Sequence, residues 1–164
     1  MIRIGFGYDV HRFADGHPLV LGGIRIPSER GLLGHSDADV LLHAICDALL
    51  GALALGDIGM HFPDTDPAWK DADSAKLLAG VVSIVAEKGF YVVNVDSTVV
   101  LERPRLRAHV DAMRGRIAEI LGIDSSQVSV KATTSEGMGF VGTGEGAAAY
   151  ATCLVASDSI GVSR

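Results

Sequence analysis

Two side chains that often bind metal ions, Asp9 and His11, stand one residue apart in the segment GYDVHRF, directly after a short apolar opening. Alternate side chains of a β-strand share one face, so both groups can reach a single ion if this segment is extended. The pair alone does not define a site, because Asp and His are also common in turns and at strand ends. A metal site needs a third ligand from elsewhere in the chain.

The best third ligand is His43, which lies in a predicted helix that is apolar on most sides. There Asp39, His43 and Asp47 repeat every four residues and therefore line one face of the helix. Ionisable groups buried without partners cost several kcal/mol, so either this face is exposed to solvent or its residues have a function. One carboxylate and two imidazoles with an open fourth position form the ligand set of a catalytic zinc ion. We predict that Asp9, His11 and His43 bind zinc, and that Asp39 or Asp47 orients the His43 ring.

A glycine-rich segment near the end of the chain, 131–146, contains a G-x-G-x-x-G pattern after a predicted strand. A dinucleotide-binding fold needs a helix and a further strand after such a pattern, and too few residues remain for both. What remains is a strand end whose polar side chains suit phosphate oxygens and a Mg²⁺ ion. These side chains are Thr133, Thr134, Ser135 and Glu136.

Other polar residues carry weaker signals. The loop 56–69 places three aspartates among glycines and prolines, where turn formation explains them as well as ligand binding does: Asp57, Asp64 and Asp66. A serine-nucleophile site at 35–37 is not supported, because a catalytic triad is assembled in space and the chain has no G-x-S-x-G elbow. Ser36 instead suits the N-cap of the following helix. We interpret His61 and His109 as surface residues.

The elements that must position these residues follow from hydrophobic periodicity. Strands are predicted over 2–8, 91–102, 127–134 and 147–156, and 18–26 forms a strand or a hairpin broken at Gly22-Gly23. Helices are predicted over 35–56, from about Ser74 to Glu87, and from Leu106 to Leu121. The sum is an α+β, two-layer domain, with a mixed β-sheet and helices packed on one face. We assign 1–157 to a single catalytic domain and 158–164 to a flexible C-terminal tail.

Composition limits the classes of partner. The chain has 164 residues, of which 48% are hydrophobic and 21% charged, as expected for one globular domain with a full core. Its net charge of −6 argues against nucleic acid as the main partner. Cys46 and Cys153 form no CxxC motif, and we see neither a signal peptide nor a run long enough to span a membrane. We therefore expect a cytoplasmic protein that binds neither nucleic acid nor membranes.

Five segments resemble, in the same order, the motifs of the 2-C-methyl-D-erythritol 2,4-cyclodiphosphate synthase family. They are DVH (9–11), HSDADVLLHA (35–44), GDIGMHFPDTDP (56–67), NVDSTVVLERP (94–104) and KATTSEGMGF…GEG (131–146). The resemblance implies conversion of 4-diphosphocytidyl-2-C-methyl-D-erythritol 2-phosphate to the cyclic diphosphate with release of CMP, a lyase reaction of the non-mevalonate isoprenoid pathway. It also implies a homotrimer with active sites at subunit interfaces, where one subunit supplies the zinc and its neighbour the cytidine pocket.

The same resemblance implies roles for individual residues. Asp9, His11 and His43 bind one Zn²⁺ per subunit, and Glu136 binds a second divalent ion, Mg²⁺ or Mn²⁺, that sits on the substrate diphosphate. His35 and Ser36 contact and orient the substrate, while Thr134 positions its phosphates. The methylerythritol pocket comprises Asp57, Ile58, Gly59, Phe62, Pro63, Asp64, Thr65 and Asp66. The cytidine pocket comprises Leu101, Glu102, Arg103, Pro104, Arg105, Leu106, Arg107, Ala132, Thr133 and Thr134. Further substrate contacts are Val10, Ser135 and Phe140.

One position departs from the family's pattern. Many members have Arg where this chain has Thr143, in a turn of the central cavity on the trimer axis, where isoprenoid diphosphates are proposed to bind in the family. The loss removes a charged hydrogen bond worth about 1.5–3 kcal/mol, so we expect no anion site there and no effect on catalysis. Two alternatives use the same residues: a metal-dependent nucleotide diphosphate phosphohydrolase, and a non-catalytic trimer that binds zinc and nucleotide. Structural zinc usually has four ligands, which argues against the second.

Overall fold

The computed structural model describes residues 1–63, 65–66, 69 and 72–158. The predicted pocket residue Asp64 and all but the first residue of the predicted tail, 158–164, lie outside the described residues. Within the described part of the chain, no helix combines the length and the apolar composition that a membrane span needs.

A mixed five-stranded sheet forms one layer of the molecule. Its strands are β1 (Ile2–Asp15), β4 (Arg30–Leu33), β5 (Tyr91–Val100), β6 (Val128–Thr133) and β7 (Gly146–Ala156), in the spatial order β4-β1-β7-β5-β6. Only β5 and β6 pair in parallel, and the other neighbouring pairs are antiparallel. The predicted last strand is confirmed, and it lies at the centre of the sheet. A separate hairpin of β2 (Leu19–Leu21) and β3 (Ile24–Ile26) confirms the predicted break at Gly22-Gly23.

The helices are α1 (Val40–Ala52), α2 (Ile58–His61), α3 (Ser74–Glu87), α4 (Val110–Leu121) and α5 (Gly139–Gly142). The prediction of α3 is confirmed at both ends. The predicted helix over 35–56 is too long at both ends, and the assignment of Ser36 as its N-cap is wrong. Helix α1 begins after Asp39, whose carboxylate accepts a hydrogen bond from the backbone N–H of Leu42. A serine three residues earlier lies too far from the first free N–H groups to cap them.

Close packing of α1 on β1 requires two glycines in the strand. A Cβ atom on Gly5 would overlap the carbonyl oxygen of Ala48, and one on Gly7 would overlap that of Ala44. This approach brings the middle of α1 against the strand segment that carries Asp9 and His11. On the other face of β1, alternate large apolar side chains stay exposed in the single chain, namely Ile2, Ile4, Phe6, Tyr8 and Val10. The helix therefore covers one face of the sheet at this strand and leaves an apolar surface on the other.

Strand β1 continues well beyond the predicted 2–8, so Asp9 and His11 lie inside a strand and not at its end. The extension through polar residues is held by pairing, because β7 bonds to β1 from Ile2 to Arg12 and β4 bonds to it from Arg12 to Asp15. Strand β4 and the short helices α2 and α5 are not predicted from the sequence. Each has only four residues, too few for a periodic signal.

Candidate active site

Three side chains from β1 and α1 converge, as predicted. Asp9 Oδ2, His11 Nε2 and His43 Nδ1 form a nearly equilateral triangle, with Asp9–His11 and Asp9–His43 distances of 3.0 Å and a His11–His43 distance of 3.1 Å. Ligands of a tetrahedral zinc ion with bonds of about 2.0–2.1 Å stand roughly 3.3 Å apart, so the spacing suits such an ion. Within the described residues, this is the only group of three His, Cys, Asp or Glu side chains close enough to share a metal. The residues present therefore fit the expected zinc site.

The outer nitrogen of each imidazole is held by an acceptor or hydroxyl outside the cluster. His11 Nδ1 lies 3.0 Å from the carbonyl oxygen of Leu33 in β4, the strand that borders β1. His43 Nε2 lies 2.9 Å from Ser74 Oγ and 3.2 Å from Ser36 Oγ. Second-layer hydrogen bonds of this kind fix ring orientation in metal sites. Sequence reasoning missed the contact of Ser74, because this residue is 31 positions from His43 and only the packing of α3 on α1 brings it near.

The cluster is partly buried and its charges are coupled. The Asp9, His11 and His43 side chains are 25%, 19% and 12% exposed. Burial acts to raise the pKa of Asp9, but hydrogen bonds and charges from His11 and His43 outweigh it and lower that pKa to about 2. Burial acts to lower the pKa of His11, yet hydrogen bonding and attraction to Asp9 give a net rise. A carboxylate at neutral pH beside two imidazoles is ready to share a cation.

The prediction that Asp39 or Asp47 orients His43 is wrong. The Asp39 carboxylate is fully buried and accepts from the N–H groups of Gly22 and Gly23, at 3.0 and 2.7 Å, besides capping α1. It therefore anchors the β2–β3 hairpin. Burial raises the pKa of Asp39 to about 6, although its three backbone donors act in the opposite direction. Asp47 accepts from the N–H of Ile58 at 2.8 Å, which fixes the start of α2 to α1.

The other predicted residues of this region lie around the cluster in different ways. Val10 stands between two ligands in β1, but its side chain points to the opposite face of the strand. His35 is exposed in the loop before α1, and Ser36 adjoins His43. Asp57 caps α2 by accepting from the N–H of Met60, and Phe62 packs edge-on against Trp69. His61 is partly exposed, and its Nε2 lies 2.9 Å from the carbonyl oxygen of Leu55, a partner that the sequence did not reveal. His109 is partly exposed.

A second polar region lies at the adjacent carboxyl ends of β5 and β6. These parallel strands end at Val100 and Thr133, which are paired in register, and ligands of α/β sheets commonly bind beyond such ends. A cavity of about 600 Å³ opens there, lined by residues 101–107, Val110 and 130–134. The structure thus brings together the residues predicted for the cytidine pocket, while their role stays a prediction. None of the lining residues belongs to the metal cluster.

The turn after β6 carries the predicted second metal ligand. Ser135 donates from its N–H to Glu102 Oε1 at 2.9 Å, which ties the turn to the loop after β5. Hydrogen bonding from Ser135 lowers the pKa of Glu102. Glu136 is exposed and has a φ of 54°, a left-handed conformation that a non-glycine residue adopts at a cost of about 1–3 kcal/mol. Thr134 Oγ1 lies 3.5 Å from the Glu136 carboxylate. Phe140, further along, is also exposed.

The fold and this arrangement agree with a known family. The model of the YgbB family matches residues 2–156. The chain belongs to the YgbB family. Its similarity to the 2-C-methyl-D-erythritol 2,4-cyclodiphosphate synthase of Salinibacter ruber reaches 64% identity over 156 residues, which is 95% of this chain and 99% of that relative. The family expected from the five motifs is thereby confirmed.

Solved structures of YgbB-like chains share the whole fold. The bifunctional IspDF of Campylobacter jejuni superposes with a TM-score of 0.91 at 43% identity, over 94% of this chain and 42% of that one. This chain therefore spans less than half of that longer protein. A 2C-methyl-D-erythritol-2,4-cyclodiphosphate synthase in its CDP-bound form superposes with a TM-score of 0.87 at 37% identity, over 94% of this chain and 100% of the other. The α+β fold with a mixed sheet is the one predicted.

Proposed function

We propose that this YgbB-family chain converts 4-diphosphocytidyl-2-C-methyl-D-erythritol 2-phosphate to 2-C-methyl-D-erythritol 2,4-cyclodiphosphate and CMP, as a lyase of non-mevalonate isoprenoid biosynthesis. The observation that carries the proposal is the triangle of Asp9 Oδ2, His11 Nε2 and His43 Nδ1 in a chain 64% identical to a synthase of that name. We also propose that residues 1–157 act as a single catalytic domain in the cytoplasm.

The reaction is an intramolecular displacement at phosphorus. An oxygen of the 2-phosphate attacks the β-phosphorus of the same molecule, the bond from that phosphorus to the oxygen bridging to the α-phosphate breaks, and CMP leaves with this oxygen. No water is consumed and no protein nucleophile is needed, which agrees with the lack of a convincing triad in the sequence. Because the reacting groups belong to one flexible molecule, holding it folded is itself a large part of the catalysis.

The chain's residues provide the means to hold this polyanion. Asp9, His11 and His43 would hold Zn²⁺, and Glu136 would hold Mg²⁺ or Mn²⁺. When bound, the two cations supply positive charge that offsets the repulsion between the phosphates and the charge that develops in the transition state. His35 and Ser36 would bind the methylerythritol phosphate beside the cluster, and Thr134 would position the diphosphate. Local cations and donors let a chain with a net charge of −6 bind such a ligand.

We propose further that the chain works as a homotrimer with active sites between subunits. Two observations support this. The first is the apolar surface of β1, which would be exposed to water in a monomer: the side chains of Ile4 and Phe6 are 69% and 63% exposed. The cavity of residues 101–107 and 130–134 contains none of the metal-cluster residues, so a neighbouring subunit is a natural source for the other half of each site. Thr143 donates locally to Glu145 at 2.7 Å, which fits the expectation that it forms no anion site.

Phosphorus NMR tests the proposed reaction. The metal-analysed protein is incubated with 4-diphosphocytidyl-2-C-methyl-D-erythritol 2-phosphate and Mg²⁺, and the expected products are CMP and a pair of coupled cyclic-diphosphate signals. CMP with only linear phosphates would instead indicate a phosphohydrolase. Cytidine nucleotide binding without turnover would indicate a binding protein. His17→Ala, at an exposed histidine after β1, is the matched control for His43→Ala.

A further inference from the structure

The nitrogen of His43 that faces away from the metal cluster has a partner with no assigned role. Ser74 is the first residue of α3, its side chain is fully buried, and its Oγ lies 2.9 Å from His43 Nε2. We propose that Asp37 and Ser74 fix the tautomer of His43 through a one-way chain of hydrogen bonds, which keeps Nδ1 unprotonated for the metal. This inference rests on the proposed zinc site of Asp9, His11 and His43.

The direction of the chain follows from what each group can donate. Asp37 Oδ1 makes a short hydrogen bond with the Ser74 hydroxyl, and Asp37 Oδ2 accepts from the Ser74 backbone N–H at 3.2 Å. A carboxylate only accepts, so the Ser74 hydroxyl proton must point at Asp37. The Ser74 oxygen then presents only lone pairs to His43, and Nε2 must carry the ring proton. A neutral imidazole has a single N–H, so in the zinc-loaded site Nδ1 would present its lone pair to the ion, in place of the contact that it makes with Asp9 at 3.0 Å.

The second imidazole of the cluster obeys the same logic through a backbone group. His11 Nδ1 lies 3.0 Å from the Leu33 carbonyl oxygen, which can only accept, so with zinc bound His11 Nε2 would likewise present its lone pair to the ion. One histidine is thus oriented by the backbone of β4 and the other by the side chains of Asp37 and Ser74. Only the second of these arrangements can be removed by a side-chain substitution.

Hydrogen bonds hold both the backbone and the side chain of Asp37. Its backbone N–H donates to the Ala72 carbonyl at 3.0 Å, while its carboxylate holds Ser74. The loop before α1 and the start of α3 are therefore clamped together beside His43. This clamp sets the position of the Ser74 hydroxyl, so the side chains that determine the tautomer are themselves held by the backbone around them.

Ser36 also approaches His43 Nε2, but the structure separates its role from that of Ser74. Its oxygen is 3.2 Å from Nε2, farther than that of Ser74, and it already accepts from the Ala38 N–H. Because the single proton on Nε2 goes to the nearer acceptor, the Ser36 hydroxyl remains able to donate to a bound phosphate. Ser74 therefore serves the metal ligand and Ser36 the substrate.

Zinc affinity tests the proposal without relying on turnover. Zinc is withdrawn from the loaded full-length protein with a chromophoric chelator, in the wild type and in Ser74→Ala, Asp37→Asn, Ser36→Ala and Ser83→Ala. Loss of an outer-shell partner typically weakens metal binding 10–100-fold, and we expect this range for S74A and a smaller loss for D37N. S36A and S83A should match the wild type. Ser83, on the exposed side of α3, controls for substitution of a serine in that helix.

A spectroscopic measurement separates orientation from general loosening. In ¹H–¹⁵N spectra of the zinc-loaded wild type, the His43 Nε2–H should exchange slowly with water, because it is held by Ser74. In S74A it should exchange faster while the other imidazole, His11, is unchanged. If S74A does not fold, D37N provides the same test at a partly exposed residue.

Two results would contradict the proposed chain of hydrogen bonds from His43 through Ser74 to Asp37. One is wild-type zinc affinity with a protected His43 N–H in both S74A and D37N. The other is a loss in S36A as large as in S74A, which would assign the proton to Ser36. A wild type that binds no zinc at all is a different result. It would contradict the metal site of the proposed function, and the proposed chain of hydrogen bonds would then have no metal ligand to orient.

Discussion

The metal cluster and the turn after β6 differ in how firmly their side chains are held. Asp9, His11 and His43 are at most 25% exposed, and the two imidazoles have hydrogen-bond partners outside the cluster. Glu136 is exposed, and its carboxylate has one weak contact at 3.5 Å. In the metal cluster the side chains are held in place without a ligand. In the turn after β6 only the backbone is held in place. We therefore expect the cluster to bind its ion without substrate, and the turn to bind one only together with the substrate diphosphate.

Removing a ligand of the cluster should have the largest effect. His43→Ala leaves two protein ligands and should abolish stoichiometric zinc binding. The lost charge stabilisation amounts to several kcal/mol, so CMP release should fall by roughly 10³-fold or more. Metal content by mass spectrometry and CMP release are measured together with the His17→Ala control. Stoichiometric zinc in H43A would show that the triangle is not the metal site.

Asp39→Ala tests how much the stability of the region around the metal cluster depends on buried polar contacts. The substitution leaves three backbone N–H groups without an acceptor, those of Gly22, Gly23 and Leu42. We expect a loss of about 3 kcal/mol in the free energy of unfolding, measured by urea denaturation. Asp124→Ala is the matched control before β6, where the capping carboxylate is exposed and the loss should be much smaller. Equal losses in the two variants would remove this contrast between the regions.

Glu136→Gln tests the open region. The glutamine keeps the shape but loses the charge that would hold the second ion, so activity should fall roughly 10²-fold, the range for one lost transition-state charge contact. Zinc content should stay unchanged, and raised Mg²⁺ should restore part of the activity. Glu119→Gln, at an exposed glutamate of α4, is the control. A loss of zinc in E136Q would mean that the two regions form a single metal site.

The pH dependence of stability should carry a smaller signature of Asp39. Burial raises its pKa to about 6, so between about pH 4 and pH 6 the folded state binds more protons than the unfolded state. Its contribution to stability is therefore full at low pH and is lost as the pH rises through 6, by an amount on the order of 3 kcal/mol. Denaturation of wild type and Asp39→Asn across this range measures it. A difference between the two that stays constant with pH would contradict a raised pKa.

The parts of the site that follow local periodicity could be predicted from the sequence. Strand alternation puts Asp9 and His11 on one face, and the apolar pattern of α1 puts His43 on the side that meets them. Local periodicity does not give the partner of a buried group. Asp39 shares a helix face with His43, but Gly22 and Gly23 take its carboxylate because the hairpin packs over the start of α1. Ser74 reaches His43 for the same kind of reason, through packing between distant segments.

In the fold, too, local periodicity predicts some features, while others depend on contacts between distant segments. Strands and helices of ten or more residues were predictable, but their ends were not: the start of α1 depends on which residue caps it, and the end of β1 depends on pairing with β7 and β4. Strand β4 has only four residues and exists because it pairs with the extended end of β1, from Arg12↔Leu33 to Asp15↔Arg30. The proposed homotrimer rests on family resemblance, with the exposed apolar surface of β1 as its support in the single chain.

The central claim is that the metal cluster of one subunit and the cavity of residues 101–107 and 130–134 of another make one active site. Mixed trimers test this claim most directly. His43→Ala lacks the metal half, and Ala132→Trp fills the pocket at an exposed position of its lining. Each variant alone should be inactive. Co-assembled at equal amounts, they should regain about a quarter of wild-type CMP release, since that share of interfaces pairs two intact halves. Mixed trimers that form by native mass spectrometry and remain inactive would contradict the claim.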